Sequence, residues 1–213
     1  ALGQHPFFYG PRTINIAGSQ ICAGDNLHII SERFKPVNLS TWSSKREQGK
    51  INIGHNCLIS PGVNIASAQD IRIDDDCMIA AEANISDCDW HGVYNRTRPF
   101  RCSASIHLKR NTWIGLRAIV GKGITVGENS IVAAGAVVVE NVPDNCIVGG
   151  NPAKIIKQIN PQRKMLSREF LFQKNNQSDD FYAHNQDELA RFLFGNNSFW
   201  HWLKTKVGPG KDD

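Results

Sequence analysis

The sequence predicts an all-β fold made of short strands joined by tight turns. Aliphatic residues recur every six positions in the second half of the chain, at Leu108, Ile114, Val120, Val126, Val132 and Val138. A small or apolar residue follows four positions after several of them, at Ala118, Ile124, Ser130 and Ala136. Six is not the period of an amphipathic helix, and the run is too long for one alternating strand.

The same spacing occurs upstream, which predicts that one architecture continues through most of the chain. The aliphatic positions there are Ile53, Ile59, Ile65, Ile73, Ile79 and Ile85. Their partners four positions later are Cys57, Val63, Cys77 and Ala83. A weaker start at Ile16 and Cys22 predicts one incomplete coil before them. Cys22, Cys57 and Cys77 are then expected to point inward as small apolar fillers.

Two segments interrupt the repeat, residues 31–50 and residues 86–107. The first is either an insertion or a strongly degenerate coil. Because stacked coils must cover one another, only their ends and their protruding loops are free to vary. We therefore expect the chemistry of this protein to reside at an interruption.

The [LIV]-G-x4 repeat, together with the segment TWIGLRAIVGKGITVGENSIVAAGAVVVENVPDNCIVGGNPAKIIKQI, resembles the hexapeptide-repeat acyltransferase superfamily. That superfamily includes bacterial sugar and polysaccharide O-acetyltransferases and the galactoside, maltose and xenobiotic acetyltransferases. The resemblance spans residues 12–159 and implies a left-handed parallel β-helix with three six-residue faces per coil. The handedness comes from the family, since parallel crossovers are otherwise right-handed.

The resemblance predicts a β-helix acyltransferase domain over residues 1–159, and the change to charged and aromatic residues after Pro161 predicts a mainly helical extension over residues 160–213. Within the extension, residues 166–174 and 186–194 have helical spacing. Residues 196–213 combine aromatic side chains with lysines. This tail is expected to pack on the β-helix or on a neighbouring subunit; the alternative is peripheral contact with a membrane or a lipid-linked glycan.

Composition indicates a soluble globular protein, with 41% hydrophobic and 21% charged residues. A net charge of +4, scattered along the chain, predicts no nucleic-acid partner. No apolar run reaches the roughly 18 residues of a membrane span, and the start lacks the layout of a signal peptide. The six cysteines form no C-x-x-C pair, as expected for reduced thiols. These features predict a cytoplasmic protein, with the inner face of the membrane as the alternative.

His91 is the predicted catalytic residue. The segment ANISDCDWHGVYNR in the second interruption resembles the loop that carries the general base in bacterial polysaccharide-type members. Imidazole, with a pKa of about 6.5, is suited to removing a hydroxyl or amine proton near neutral pH. The alternatives are a solvated loop histidine, a base at His107 instead, or a nucleophilic thiol at Cys88 beside the imidazole.

Four neighbours of His91 are predicted to bind the acceptor. Asn84 matches the family asparagine that contacts the acceptor, although asparagine is also common in turns. Asp87 and Asp89 are predicted to orient the imidazole or to bind acceptor hydroxyls; the alternative is a turn-forming role. Tyr94 completes the H-G-x-Y segment.

The resemblance implies that acetyl-CoA is the acyl donor and that it lies in a groove between two neighbouring β-helices. Its predicted contacts are Trp113, Gly115, Ala133, Ala134, Gly135, Lys154 and Lys157. Small residues would let the backbone approach the coenzyme, and the lysines would face its phosphates. Glu140 stands where many relatives have lysine. A groove that needs two chains implies a homotrimer.

Together these features predict transfer of an acetyl group to a sugar hydroxyl of a bacterial surface polysaccharide or its precursor. The alternatives are N-acetylation of an amino sugar and a non-catalytic β-helix that binds or scaffolds glycan. No metal is expected to be required, because a zinc enzyme on this fold needs three histidines converging from adjacent coils, and those spacings are absent.

Overall fold

A computed structural model describes residues 1–43, 48–97 and 102–172 of the chain. The chain divides into a unit spanning Ala1–Glu169 and a second unit spanning Phe170–Asp213. The first unit is a left-handed parallel β-helix, as predicted, and successive strands from Phe7 to Val138 pass in rotation from one of its three sheets to the next.

The three sheets form the three faces of the helix. The eight-stranded face contains β1 (Phe7–Tyr9), β4 (His28–Ile30), β7 (Leu58–Ile59), β10 (Met78–Ile79), β13 (Trp113–Ile114), β16 (Ile131–Val132), β18 (Cys146–Gly149) and β19 (Lys154–Gln158). The six-stranded face contains β2 (Ile14–Ala17), β5 (Val37–Thr41), β8 (Asn64–Ser67), β11 (Asn84–Ser86), β14 (Ile119–Val120) and β17 (Val137–Val138). The five-stranded face contains β3 (Ile21–Ala23), β6 (Ile51–Ile53), β9 (Ile71–Ile73), β12 (Ile106–Leu108) and β15 (Thr125–Val126).

The six-residue spacing is explained by inward ladders of aliphatic side chains. On the eight-stranded face Ile59, Ile79 and Ile114 pair in register, and each is at most 1% exposed. All twelve aliphatic positions named from the spacing between Ile53 and Val138 are buried, and so are their partners four positions later. Full burial of one such side chain contributes about 1.5–3 kcal/mol. The prediction of a stacked aliphatic core is confirmed.

The corner between the five- and eight-stranded faces, here called the asparagine corner, is a regular stack of turns. His5, Asn26, Asn56, Asp76, Asn111, Asn129 and Asn145 all have positive φ there. Asparagine and aspartate tolerate this left-handed conformation better than most residues. Their side chains also bond between coils, because Asn26 donates to Asn56 at 2.9 Å and Asn111 donates to Asn129 at 2.8 Å.

The first interruption is only partly irregular. Val37–Thr41 forms β5 and pairs in parallel with β2 and β8, so the degenerate-coil alternative holds for that part. The chain leaves the repeat after Thr41 and returns at Ile51. In the second interruption it leaves after Ser86 and returns at Ile106.

The prediction for Cys22 is wrong, because this side chain is exposed. In β3 the partly buried residues are Ile21 and Ala23, and Cys22 pairs with the outward-facing Asn52. The predicted spacing was therefore one residue out of register on this first coil. Cys57 and Cys77 are buried, as predicted.

At the C-terminal end β19 runs antiparallel to β18. Within the predicted helical segment 166–174 the structure has a short 3₁₀ helix, Arg168–Phe172. The predicted segment 186–194 and the tail 196–213 lie outside the described residues. In the described part of the chain, no helix is both long and apolar enough to cross a membrane.

Candidate active site

Both interruptions leave the β-helix at the corner between the six- and five-stranded faces, here called the loop corner. They share a support at Ser67, which is fully buried at the end of β8. The Ser67 carbonyl accepts a hydrogen bond from the backbone N–H of Trp42 at 2.8 Å. The Ser67 hydroxyl donates to Asp87 Oδ2 at 2.8 Å. One buried residue therefore connects the first loop to the base of the second.

Asp87 is the buried anchor of the second loop. Its carboxylate is 0% exposed and accepts backbone N–H groups from Ala68 at 2.7 Å, Gln69 at 2.9 Å and Asp70 at 2.8 Å. Its own carbonyl accepts the N–H of Ala104, where the loop returns. With both oxygens engaged inside the protein, this side chain holds the loop in place and leaves no carboxylate oxygen exposed to an acceptor.

A tight turn follows over Asp89, Trp90 and His91. The His91 N–H donates to the Asp89 carbonyl at 2.7 Å, and Trp90 between them has φ +61°. A positive φ is unusual for a bulky residue, and strained conformations of this kind cluster at functional sites. The Trp90 ring packs against Trp42 of the first loop, with ring centroids 5.4 Å apart and planes at 71°.

The His91 ring is exposed, and one of its nitrogens is held by the loop. Nδ1 lies 2.8 Å from the carbonyl oxygen of Arg96. A carbonyl oxygen only accepts hydrogen bonds, so Nδ1 carries the proton and the neutral ring has its lone pair on Nε2. This tautomer is the one needed for a base that acts through Nε2.

Asp89 and Tyr94 differ from Asp87 because both are exposed. The Asp89 carboxylate pairs with the ammonium of Lys122, and this contact raises the pKa of Lys122. Tyr94 is 103% exposed. Asn84 is exposed on the six-stranded face, at the outward position of β11, where it pairs in register with Asn64 and Ile119.

The two alternatives to His91 have different surroundings. Burial raises the pKa of the Cys88 thiol, which is 5% exposed, so the reactive thiolate is disfavoured there. His107 lies within β12 on the outer surface of the five-stranded face, and its Nε2 is 2.8 Å from Asp74 Oδ2. It is thus held in the wall of the β-helix.

The predicted donor residues gather around the corner between the eight- and six-stranded faces, here called the glycine corner. Gly115 is buried, and a Cβ there would lie 2.6 Å from the carbonyl of Val132, so stacking of the coils itself requires glycine. Gly135 has φ +69° with open space where a Cβ would be. Ala134 is exposed beside it and Ala133 is partly exposed. Trp113 is 44% exposed on the adjoining eight-stranded face.

The two predicted phosphate-binding lysines lie on β19 and are exposed. The Lys154 ammonium is 3.1 Å from both carboxylate oxygens of Glu140. Glu140 is thus the acidic partner of a lysine assigned to the donor. Both side chains are solvent-exposed, so we expect the pair to be weak and replaceable.

One chain does not bring the two groups of predicted residues together. His91, Asp89 and Tyr94 lie at the loop corner, whereas Gly115 and Gly135 lie at the glycine corner. The six-stranded face separates these two corners, with Asn84 on its outer surface. A site that uses both groups requires the loop corner of one chain to meet the glycine corner of another.

Ser67, Trp42 and Lys122 were not anticipated as contributors to this site. The spacing of the repeat could have shown that the two interruptions lie close together. Leu39, Ile65 and Ile85 are inward residues of one face, and both interruptions follow strands of that face. Counting coils would thus have placed both interruptions at the same corner.

Among the described residues, no group of three or more His, Cys, Asp or Glu side chains could hold a metal ion.

The coil geometry defines a left-handed β-helix protein of the hexapeptide-repeat class. A family model described as hexapeptide repeat of succinyl-transferase matches residues 110–140. The N-acyltransferase AntD from Bacillus cereus, solved in complex with dTDP and 3-hydroxybutyryl-CoA, shares the fold with a TM-score of 0.57 at 19% identity. The alignment covers 92% of this chain and 90% of AntD.

Two curated relatives come from Escherichia coli strain K12. Galactoside O-acetyltransferase is 28% identical over 142 residues, covering 64% of this chain and 70% of the relative. The putative lipopolysaccharide biosynthesis O-acetyl transferase WbbJ is 29% identical over 129 residues, covering 55% of this chain and 65% of the relative. The predicted resemblance to the hexapeptide-repeat acyltransferase superfamily is confirmed. The comparisons support an acetyltransferase of this family, and the acceptor and the base remain predictions.

Proposed function

We propose that the protein transfers an acetyl group from acetyl-CoA to a sugar hydroxyl of a bacterial surface polysaccharide or its precursor. The observation that carries the proposal is the His91 ring, whose Nδ1 is fixed on the Arg96 carbonyl. The names of the two E. coli relatives support an O-linked sugar acceptor.

His91 Nε2 accepts the proton of the acceptor hydroxyl as the acceptor oxygen bonds to the thioester carbonyl carbon. Nδ1 keeps its proton on the Arg96 carbonyl, so the imidazolium that forms is stabilised by the same hydrogen bond. The tetrahedral intermediate then breaks its C–S bond. The coenzyme leaves as a thiol after taking the proton from Nε2, and the acetyl ester remains on the sugar.

The donor half of the site is proposed to come from a neighbouring chain in a homotrimer. The separation of the two corners supports this arrangement, since cyclic symmetry repeats one contact between unlike surfaces. Exposed Ala134 and the open space over Gly135 leave room for the coenzyme along the turns. Lys154 and Lys157 are proposed to face its phosphates, with Glu140 lowering the affinity.

A thiol-release assay with acetyl-CoA and a panel of sugars tests the base. His91→Ala is expected to lower kcat by about 10²- to 10⁴-fold, the usual contribution of general-base catalysis. His107→Ala is the matched control, since that histidine is held in the wall by Asp74, and it is expected to retain near-normal kcat. Equal thiol release by wild type and His91→Ala would contradict the proposal. Transfer to amino sugars alone would replace the O-linked acceptor with an N-linked one.

Subunit mixing tests the shared site. His91→Ala removes the base, and Ala134→Tyr fills the donor side with a bulky ring. Each homotrimer is expected to be nearly inactive. Random reassembly of equal amounts places intact loop and glycine corners together in about a quarter of the sites, so activity returns to that level. A mixture as inactive as its components would contradict a site shared between chains.

A further inference from the structure

We propose that Trp42 and Trp90 form a stacking platform for one sugar ring of the acceptor, so that the first interruption sets acceptor specificity. The inference rests on the proposed function and names a binding surface within the same site. Its starting observation is the contact between the two loops, with indole centroids 5.4 Å apart and planes at 71°.

The platform lies next to the base because Trp90 directly precedes His91. Neighbouring Cα atoms across a trans peptide are about 3.8 Å apart. The hydrogen bond from the His91 N–H to the Asp89 carbonyl fixes the turn between them. A sugar ring resting on this pair would therefore lie on the same turn that carries the imidazole.

The pair is also rigidly supported from below. The Trp42 backbone N–H is bonded to Ser67, and Ser67 is bonded to the Asp87 anchor of the second loop. The Trp42 carbonyl accepts the N–H of Gly49, and its indole N–H donates to the Ser40 hydroxyl at 3.3 Å. Preorganisation of this kind lowers the ordering cost of binding.

Burial distinguishes this pair from a purely structural contact. Trp42 is 49% exposed although it is held at both its backbone and its indole N–H. A tryptophan serving only the core would be highly buried. The exposed part of the ring lies at the corner where the second loop carries the polar groups of His91 and Asp89.

The chemistry fits a pyranose. One face of such a ring is lined with C–H groups, which pack against the electron-rich face of an indole. Its hydroxyls project from the edge and require polar partners. Asp89 is exposed and supplies a carboxylate next to Trp90, held by Lys122. Because the two indole planes are steeply inclined, a sugar can lie on the face of one ring while its edge contacts the other. This arrangement favours sugars that present one continuous C–H face.

Direct binding tests the platform without relying on catalysis. Methyl β-galactoside and maltotriose are titrated by calorimetry into the full chain in the absence of acetyl-CoA. Trp42→Ala is expected to raise the Kd of the bound sugar about ten-fold, the loss of one aromatic contact. Trp42→Phe is expected to stay within about three-fold of wild type, because it keeps an aromatic face.

Phe7→Ala is the matched control. Phe7 is also an exposed aromatic packed on another ring, because it is 51% exposed and its ring centroid lies 5.2 Å from that of His28. It begins β1 on the eight-stranded face, outside the loop corner and the glycine corner. The Phe7 variant is expected to leave the Kd for sugar unchanged. Circular dichroism melting confirms that each variant is folded.

Three results would overturn the inference. The first is an unchanged Kd in folded Trp42→Ala, and the second is failure of the wild-type protein to bind either sugar. The third is a loss of oligomer in Trp42→Ala by sedimentation, which would place the indoles between subunits. Failure of the proposed function looks different, because sugar binding would then depend on Trp42 while His91→Ala left thiol release unchanged.

Discussion

The asparagine corner and the loop corner turn the same chain between faces of the same β-helix by opposite means. At the asparagine corner each turn is short, and side chains such as Asn26 and Asn56 satisfy one another across coils. At the loop corner the chain leaves the repeat twice, and one buried carboxylate, Asp87, replaces the ladder. Polar groups at the first corner face each other, whereas at the second His91, Asp89 and Tyr94 face outward.

This contrast shows how a repeat protein gains a site without losing its core. The aliphatic ladders continue beneath both corners, because Ile65 and Ile85 stay in register on the six-stranded face. Stability in such folds is distributed over coil interfaces, so a loop that leaves the ladders intact costs little. The conformation of the loop corner is held by a few residues, whereas that of the asparagine corner is held by many.

The largest expected effect tests that dependence at Asp87. Asp87→Ala leaves three backbone N–H groups and the Ser67 hydroxyl without their acceptor. Buried groups left unsatisfied cost about 1–3 kcal/mol each, partly recovered by relaxation. We expect the free energy of unfolding to fall by about 3–5 kcal/mol. Chemical denaturation at fixed chain concentration measures it.

Asp89→Ala is the control for that comparison. Asp89 is exposed, and its charge pairs with Lys122 at the surface, so the variant is expected to change the free energy of unfolding by less than about 1 kcal/mol. Similar losses in both variants would mean that the loop corner has no single anchor.

A smaller effect is expected at the asparagine corner. Asn56 has φ +58°, accepts from Asn26 and donates to Asp76 at 3.1 Å. Asn56→Ala loses both bonds and adopts the left-handed conformation at a cost, for a total loss of about 2 kcal/mol in unfolding free energy. Asn56→Gly is expected to recover about half of this, since glycine adopts positive φ freely. If the glycine variant is no more stable than the alanine variant, backbone conformation does not govern this corner.

The smallest effect concerns pH and a histidine near the asparagine corner. Burial, together with the smaller effect of the Arg168 guanidinium, lowers the pKa of His28 to about 4. Below a pH of about 6.5 His28 binds a proton in the unfolded chain but not in the folded protein. The free energy of unfolding therefore falls as the pH drops towards 4. Between pH 7 and 5 this contributes about 1 kcal/mol, because solvent screens part of the interaction.

His28→Gln isolates that contribution, because glutamine does not titrate in this range. The variant is expected to lose less unfolding free energy than wild type between pH 7 and 5, measured by denaturation at each pH. Parallel losses in the two proteins would show that His28 is not the responsible group.

Much of the fold followed from spacing alone, because burial enforces it. Residues such as Ile59, Ile79 and Ile114 lie in register on one face, so the period of six in the sequence follows directly from the stacked aliphatic ladders. Cys22 was misplaced because Ile16 lies seven positions, not six, before the inward position Ala23, which pairs with the buried Ile53. Ile16 pairs with the buried Leu39 and is still 63% exposed, so burial weakens where the stack ends.

The site could be predicted only in part. The position of His91 in an interruption was readable from the chain, but the bond from Nδ1 to Arg96 depends on how the loop folds back. Asp87 and Asp89 look equivalent in sequence, yet one is fully buried and the other exposed. The Trp42 and Trp90 contact joins residues far apart in the chain, and the repeat does not encode it.

The reversal of direction at the last strand has a consequence for how the molecule behaves at high concentration. Parallel coils end in backbone groups that could template a further coil from another molecule, the route by which open sheets grow into fibres. β19 folds back along β18 and covers this edge of the eight-stranded face with a strand of opposite polarity. Of its two lysines, Lys154 pairs with Glu140, and Lys157 adds an exposed positive charge at the same edge. Head-to-tail pairing of strands is thereby discouraged at this edge.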